Sequence, residues 1–269
     1  MKGRVLIIAG SDSGGGAGLQ ADIKTISALG GYAATAVTAL TAQNSLGVHA
    51  ISEVPDDFVE LQITVVLEDI GADAIKCGML HRAELIQRIG AVISNLGKPP
   101  ILVLDPVMYA KGGAPLLQGK AVAALKSCLI PMADVITPNI PEAEALLGRR
   151  VENVGGMKEA ASELLELGAK AVLLKGGHLE HPEVFDVLAQ PGKVLVYNSP
   201  RIASKDTHGT GCTLASALTI GLAQGNSLEG AVEEARKYVL GAIMNAPRLG
   251  AGHGPLNHSH NFFSLVSQH

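Results

Sequence analysis

Tryptophan is absent from this 269-residue sequence, and Phe, Trp and Tyr together make up only 3% of it. Since aromatic side chains are the usual stacking platform for single-stranded nucleic acid, their scarcity argues against that kind of binding. Basic residues are not in excess either, because 21 Lys and Arg face 25 Asp and Glu, for a formal charge of −4. We therefore expect no basic face that could neutralise a nucleic acid backbone.

Cysteine is scarce, and long apolar runs are missing. The three cysteines, Cys77, Cys128 and Cys212, are far apart and odd in number, so they predict neither a disulfide framework nor paired zinc ligands. No apolar run approaches the length needed to cross a bilayer. The N-terminus leads directly into a short apolar strand, which is not the pattern of a signal peptide. These absences predict a cytoplasmic protein without membrane or nucleic acid partners.

Hydrophobic residues nevertheless make up 47% of the chain, and with so few aromatics they must build the core from Ala, Val, Ile and Leu. Such a core suits parallel strands covered by helices on both faces. Short aliphatic runs alternate with amphipathic stretches, which is typical of right-handed βαβ units. Without a linker or an internal repeat, the pattern predicts one α/β domain over residues 1–269. The predicted strands are 5–9, 101–104, 135–137 and 171–174, and residues 74–80 are predicted as a strand followed by a turn. The predicted helices are about 19–29, 55–70, 83–95, 120–129, 142–147, 156–167, 214–223 and 228–245.

Two segments predict hairpins rather than βαβ units. Residues 35–51 are small and β-branched, then polar, and indicate a strand that runs into a flap or hairpin. A flap of this kind can close over a ligand and exclude water, although an ordinary edge hairpin has the same pattern. Residues 184–188 and 194–197, separated by Pro191-Gly192, predict an antiparallel hairpin at an edge of the sheet.

The stretch from Lys205 to Thr213 combines a polar loop and two glycines, directly before an apolar helix. Gly209 and Gly211 let the backbone approach an anion closely. Backbone N–H groups at a helix N-terminus can hold phosphate oxygens, and the positive helix end favours a thiolate at Cys212. The alternative interpretation is a glycine turn before a core helix, with Cys212 as one more small buried residue.

Glycines also follow the first predicted strand, and residues 16–21 match G-x-G-x-x-A, a dinucleotide-binding pattern. That pattern requires an acidic residue about twenty positions further on to bind the ribose. After Asp22 the next acid is Glu53, so the requirement is not met. A nicotinamide oxidoreductase is therefore the weaker hypothesis.

Six stretches coincide in order and spacing with one enzyme family. They are Ala9–Asp22, Thr38–Asn44, Asp105–Met108, Thr137–Glu144, Lys175–His178 and Asp206–Thr213. Together they resemble the hydroxymethylpyrimidine/phosphomethylpyrimidine kinases of thiamin biosynthesis, within the ribokinase-like superfamily. The resemblance implies a three-layer sandwich with a small flap over the substrate site. It also implies ATP-dependent phosphorylation of 4-amino-5-hydroxymethyl-2-methylpyrimidine, and then of its monophosphate.

The resemblance also implies a role for particular residues. The N–H groups of Gly209, Thr210, Gly211 and Cys212 would form the anion hole for the transferred group. Cys212 would be the base for the hydroxymethyl oxygen, which a lowered thiol pKa makes feasible. The implied substrate contacts are Gly10, Asp22, Gln43, Met79 and Val107. The implied nucleotide contacts are Lys175, Thr207 and Asn139, and the implied ligands of water-bound Mg²⁺ are Glu142 and Asp105.

Several of these residues have simpler interpretations. Asn139 and Glu142 fit plain helix capping, and Lys175 fits a solvated strand end. Asp22 fits an acid that compensates a helix dipole, and Met79 fits the core.

The rival functions are a pyridoxal/pyridoxine kinase of the same fold and a non-catalytic pyrimidine sensor. By analogy with the superfamily, we also expect a homodimer.

Overall fold

The computed structural model describes residues 1–109, 113, 116–117 and 119–262. Its strands are β1 (Arg4–Asp12), β2 (Tyr32–Asn44), β3 (Gly47–Glu53), β4 (Ala74–Cys77), β5 (Ile101–Leu104), β6 (Val135–Ile136), β7 (Val172–Lys175), β8 (Glu183–Gln190) and β9 (Lys193–Pro200). Its helices are α1 (Gly18–Ala28), α2 (Asp56–Asp69), α3 (Ala83–Ser94), α4 (Gly119–Ala124), α5 (Ile140–Leu147), α6 (Val154–Leu165), α7 (Thr210–Ala223) and α8 (Leu228–Met244). None of the helices in these ranges is long and apolar enough to span a bilayer.

The strands form one nine-stranded sheet in the order β3-β2-β1-β4-β5-β6-β7-β8-β9. The central pairs, from β2–β1 to β6–β7, are all parallel. The pairs β2–β3, β7–β8 and β8–β9 at the two ends are antiparallel. The predicted parallel centre and both predicted hairpins are therefore confirmed.

Helices cover both faces of the sheet. Leu6 and Ile8 of β1 pack into a core cluster with α2, α3 and α6, whereas Val5 and Ile7 pack against α1 and α7. This alternation follows from the two-residue period of side chains along a strand. The helices α7 and α8 pack together over the middle of the sheet on the α1 side. The predicted three-layer α/β sandwich is confirmed.

The segment predicted as one helix over 120–129 is less regular than expected. Helix α4 ends at Ala124, a π-helical turn follows over Leu125–Leu129, and a 3₁₀ turn covers Ile130–Met132. Pro131 has no amide N–H to continue an α-helical hydrogen-bond ladder. We attribute the end of the regular helical ladder at this point to the missing donor.

Candidate active site

The N-terminus of α7 presents a bare stretch of backbone at the carboxyl ends of the parallel strands. We call residues Gly209, Thr210, Gly211 and Cys212 the peptide collar. Gly209 caps the helix in a left-handed conformation, with φ of 84°. A Cβ atom at Gly209 would overlap the carbonyl oxygen of Gly16, so only glycine allows the two loops to touch. The first N–H groups of a helix have no acceptor within it, so the collar can bind an anion.

Two of the residues assigned to the nucleotide lie next to the collar. Thr207 lies two residues before the collar, and its carbonyl oxygen accepts a hydrogen bond from Thr210 Oγ1 at 2.8 Å. Lys175, at the end of β7, has a side chain only 11% exposed. Its Nζ lies 3.1 Å from the position that a Cβ of Gly211 would take. The ammonium group therefore faces the collar rather than bulk solvent.

Two buried carboxylates lie beside this ammonium group. Lys175 Nζ donates to Asp105 Oδ1 at 2.7 Å, and Thr137 Oγ1 donates to the same oxygen at 3.1 Å. Burial alone would lower the pKa of Lys175, but Asp105 and Glu142 raise it. Glu142 is also buried, and burial raises its pKa to about 7, with Lys175 opposing the rise and Asp105 adding to it. This part of the site contains more negative charge than one lysine balances.

Asn139 and Glu142 form a reciprocal capping box at the start of α5. Asn139 Oδ1 accepts from the N–H of Glu142 at 2.9 Å, and Glu142 Oε2 accepts from the N–H of Asn139 at 2.8 Å. The capping interpretation therefore holds for both side chains. Because the Asn139 oxygen has accepted one hydrogen bond from helix α5, its amide nitrogen and one lone pair of the oxygen are left for further contacts.

The acidic residues fit Mg²⁺ and not a metal held by protein ligands alone. Among the described residues, no group of three or more His, Cys, Asp or Glu could hold a metal ion. Magnesium retains several waters and is usually bound through one or two carboxylates and substrate phosphates. Burial and the neighbouring Asp105 carboxylate raise the pKa of Glu142, and a further cation beside the two carboxylates would oppose this rise as Lys175 does. Asp105 and Glu142 therefore suit a hydrated Mg²⁺ ion.

Three of the predicted substrate residues meet in an apolar patch under the flap hairpin. Met79 packs with Ala39 and Leu116, and Val107 lies against this group. A Cβ atom at Gly10 would come within 2.8 Å of Met79 Cε, so the missing side chain leaves room for the methionine. An apolar wall of this kind suits the face of a flat heterocycle.

Gln43 extends from β2 toward this site and begins a chain of contacts through His208 to Asp12, two residues that the sequence analysis did not select. Its amide nitrogen lies 3.3 Å from His208 Nε2, which in turn lies 2.8 Å from Asp12 Oδ2. Burial would raise the pKa of Asp12, but the His208 contact and backbone N–H donors lower it overall. Both residues lie within the motifs quoted above, His208 directly before Gly209 and Asp12 two residues from Gly10 and Gly14. That position is the only sequence signal that could have identified them.

In the structure, Asp22, one of the predicted substrate contacts, is engaged by protein partners. Its side chain is completely buried below the site, and both carboxylate oxygens are occupied. Oδ2 accepts from Lys76 Nζ at 2.8 Å, and Oδ1 accepts from Ser216 Oγ at 2.7 Å. The physical reason is that a buried lysine on β4 needs a counter-ion, and Asp22 supplies it.

The predicted low pKa of Cys212 is wrong. The residue does lie in the first turn of α7, but burial raises the pKa of its thiol to about 11. Lys76 and the N–H of Gly18 lower this pKa, whereas Asp22 and Asp105 raise it. The effect of burial on the pKa of Cys212 is larger than the opposing effect of the helix N-terminus, so the resting group is a thiol.

The family description for phosphomethylpyrimidine kinase matches residues 12–257 of the chain. The chain belongs to the phosphomethylpyrimidine kinase family. A hydroxymethylpyrimidine/phosphomethylpyrimidine kinase of Bacillus subtilis is 46% identical over 256 residues, which are 95% of this chain and 94% of that protein. The predicted family and the predicted enzyme class are confirmed.

The chain is also similar to a longer bifunctional protein and to a pyridoxal kinase of known structure. The thiamine biosynthesis bifunctional protein ThiED of Geobacter sulfurreducens is 51% identical over 257 residues, and the match covers 96% of this chain but 52% of that protein. The pyridoxal kinase of Staphylococcus aureus, solved with AMP-PCP and pyridoxal, superposes with a TM-score of 0.88 at 35% identity. That superposition covers 97% of this chain and 94% of the other. The family member therefore shares its fold with a kinase that binds a different heterocycle.

Proposed function

We propose that this protein transfers the γ-phosphoryl group of ATP to 4-amino-5-hydroxymethyl-2-methylpyrimidine, and then a second one to the resulting monophosphate. The observation that carries the proposal is the peptide collar facing Lys175, with the apolar patch of Met79 and Val107 at the same end of the sheet. The Bacillus subtilis relative bears the name of this activity. The Staphylococcus aureus neighbour holds a nucleotide analogue, which supports ATP as the donor.

Phosphoryl transfer depends mainly on positioning and on neutralising charge. The collar N–H groups and the Lys175 ammonium would hold the oxygens of the transferred group. Asp105 and Glu142 would hold Mg²⁺ through its waters, and the ion supplies further positive charge when bound. Gly10, Met79 and Val107 would hold the ring of the acceptor, and Gln43 would bind its polar edge.

The activity itself is tested by comparing kcat/KM for three alcohols: the aminopyrimidine, pyridoxal and pyridoxine. We expect the aminopyrimidine to be preferred, because the amide of Gln43 can pair with an amine next to a ring nitrogen. A preference for pyridoxal would favour the rival vitamin kinase. Binding of the pyrimidine without release of ADP would instead favour the sensor hypothesis.

We propose that Cys212, in its minor thiolate form, accepts the proton of the substrate hydroxyl group in the first transfer and becomes a thiol. Cys212→Ala is expected to slow this step about 10²-fold, because a thiol with a pKa of about 11 is a weakly populated base. The second transfer should be nearly unaffected, since its nucleophile is a phosphate oxygen already ionised at neutral pH. Single-turnover rates with the alcohol and with the monophosphate measure the two steps separately, and Cys128→Ala is the control. Equal losses in both steps would rule out proton transfer.

We propose that Mg²⁺ binding displaces a proton from Glu142. Its raised pKa of about 7 means that the side chain carries a proton below neutral pH, which the cation must remove. Affinity for Mg²⁺ in the presence of AMP-PCP should therefore rise from pH 6 to pH 8, by up to about tenfold per pH unit below the pKa. Glu142→Gln should bind more weakly and with only the pH dependence that the terminal phosphate of the nucleotide contributes, whereas Glu144→Gln on the same helix should behave as wild type. Calorimetric titration at the two pH values checks this, and equal affinities in wild type would contradict it.

We also propose that the protein is a cytoplasmic homodimer. Phe58, Leu61 and Val65 form an exposed apolar stripe on one side of α2, each at least 50% exposed. A stripe of this kind on a protein surface is typical of an interface, and a second copy of the chain would cover it. Leu61→Glu should then halve the mass measured by light scattering, and Lys98→Glu should not. A wild-type protein that is monomeric at micromolar concentration would contradict the dimer.

A further inference from the structure

The side chain of His208 is enclosed between a carboxylate and an amide, and this arrangement constrains where hydrogens can be. Asp12 is buried and accepts backbone N–H bonds from Gly14, Gly16 and Ala17 at 2.8–3.0 Å. It is therefore an ionised acceptor, in agreement with its lowered pKa. The 2.8 Å contact between Asp12 Oδ2 and His208 Nε2 then requires a hydrogen on Nε2.

The hydrogen on His208 Nε2 determines which amide atom of Gln43, the oxygen or the nitrogen, lies beside it. The protonated Nε2 cannot accept a hydrogen bond, so an amide nitrogen 3.3 Å away would have no acceptor there, whereas an amide oxygen can share the hydrogen that Nε2 donates mainly to Asp12. The oxygen of Gln43 therefore belongs on the His208 side and its nitrogen on the opposite side. Oxygen and nitrogen of an amide are assigned from such hydrogen-bond partners and not from the atom positions.

The contact on the other side of the amide leads independently to the same orientation. Thr41 Oγ1 lies 2.9 Å from the carbonyl oxygen of Ser11 and 3.2 Å from the second amide atom of Gln43. Its single hydrogen is used by the Ser11 carbonyl, so toward Gln43 the hydroxyl can only accept. If the amide nitrogen of Gln43 lies on the Thr41 side, it can donate to Thr41 Oγ1 while this hydroxyl donates to the Ser11 carbonyl oxygen.

We propose that Asp12 and His208 are positioning residues that fix the amide of Gln43, and that the fixed amide sets the direction in which the heterocycle binds. The inference rests on the proposed function, which makes Gln43 a substrate contact. With one N–H used by Thr41 and one lone pair by His208, one N–H and one lone pair remain for the ligand.

These remaining groups match the edge of a 4-aminopyrimidine, which has an amine donor next to a ring nitrogen acceptor. The amine would lie toward His208 and the ring nitrogen toward Thr41. The hydroxymethyl group is on the carbon adjacent to the amine-bearing carbon, so it would also lie on the His208 side. Because His208 directly precedes Gly209, this direction places the reacting alcohol toward the peptide collar.

A pair of pyrimidines with reversed hydrogen-bonding edges tests the proposal. The 4-oxo analogue has an acceptor oxygen next to a ring N–H, so it needs the opposite amide orientation. Turning the amide would set two N–H donors against each other at His208, and we expect this to cost about 10–100-fold in affinity, or about 1.4–2.7 kcal/mol. Wild-type protein should therefore bind the amino compound at least about tenfold more tightly, measured by calorimetry.

Variants of His208 separate amide positioning from a merely structural role. His208→Leu removes the donor, so the preference for the amino compound should fall about tenfold toward unity while the protein still binds both. His208→Gln supplies an NH₂ group with two donors, one for Asp12 and one for Gln43, and should retain the preference. Thr41→Val, which leaves His208 in place, should also reduce the preference. Asp73→Asn, which alters the Asp73–Arg4 pair at the other end of β1, should change nothing.

The outcomes distinguish this inference from the proposed function. An unchanged preference in both His208→Leu and Thr41→Val would overturn the inference alone, as would a Gln variant that behaves like the Leu variant. A wild-type protein that binds neither pyrimidine would overturn the proposed function together with it. The expected result is loss of preference in the Leu and Val variants and its recovery with Gln.

Discussion

Gly209→Ala is expected to lower kcat by about 10³-fold for both phosphoryl transfers, the upper end of what one misplaced oxyanion donor costs. The new Cβ would overlap the Gly16 carbonyl oxygen, so the peptide collar would have to move away from the β1–α1 loop. Its N–H groups would then no longer point at the position of the transferred group. The alanine would also occupy a left-handed conformation, which costs about 1–2 kcal/mol in stability.

A second glycine provides the matched control for this effect. Gly225, just beyond the C-terminus of α7, has φ of 89°, and no atom of the described residues lies within 4 Å of the position that a Cβ atom would take there. Gly225→Ala should therefore show the same backbone penalty in thermal unfolding but keep wild-type kcat. If both variants lost activity equally, the cause would be general destabilisation and not the geometry of the collar.

Lys76→Met is expected to destabilise the protein by about 3–5 kcal/mol, as typically found when one partner of a buried ion pair is removed. Both side chains of the Lys76–Asp22 pair are completely buried, with their charged atoms 2.8 Å apart. The methionine fills the volume but leaves the Asp22 carboxylate without its ammonium partner. Because Lys76 also lowers the pKa of Cys212, the variant should alkylate more slowly at this thiol.

Urea unfolding measures this loss of stability, with two comparisons. Lys170→Met removes an ion pair of similar length, 2.7 Å to Asp134, but with the lysine 76% exposed, and should cost at most about 1 kcal/mol. The double variant Lys76→Met/Asp22→Asn removes both charges and should recover much of the loss. A single variant as stable as Lys170→Met would show that the buried pair contributes little.

Local sequence signals were sufficient for most of the fold. The period of apolar residues located the strands and helices, and the turn residues located both hairpins. The peptide collar could also be predicted, because its two glycines and the start of α7 lie within the four consecutive residues from Gly209 to Cys212. The capping box of Asn139 and Glu142 is a local signal of the same kind, since its partners are three residues apart.

The pKa values of the site residues could not be predicted from local sequence signals. The thiol pKa of Cys212 results from burial and from charges on α1, β4 and the loop after β5. The helix end is a local signal and favours a thiolate, but the loss of water around the sulfur is a property of the packed molecule. The same holds for Glu142, whose raised pKa reflects burial beside Asp105.

The sequence by itself determined the layered α/β sandwich, its flap and the peptide collar, because each depends on residues close together in the chain. The tertiary structure alone decided which polar side chains face each other. Asp22 meets Lys76 across 54 positions and Ser216 across 194, and Asp12 meets His208 across 196. A carboxylate has no preferred partner until folding removes water from it. Its role is then set by whichever donor the packing brings within hydrogen-bond distance.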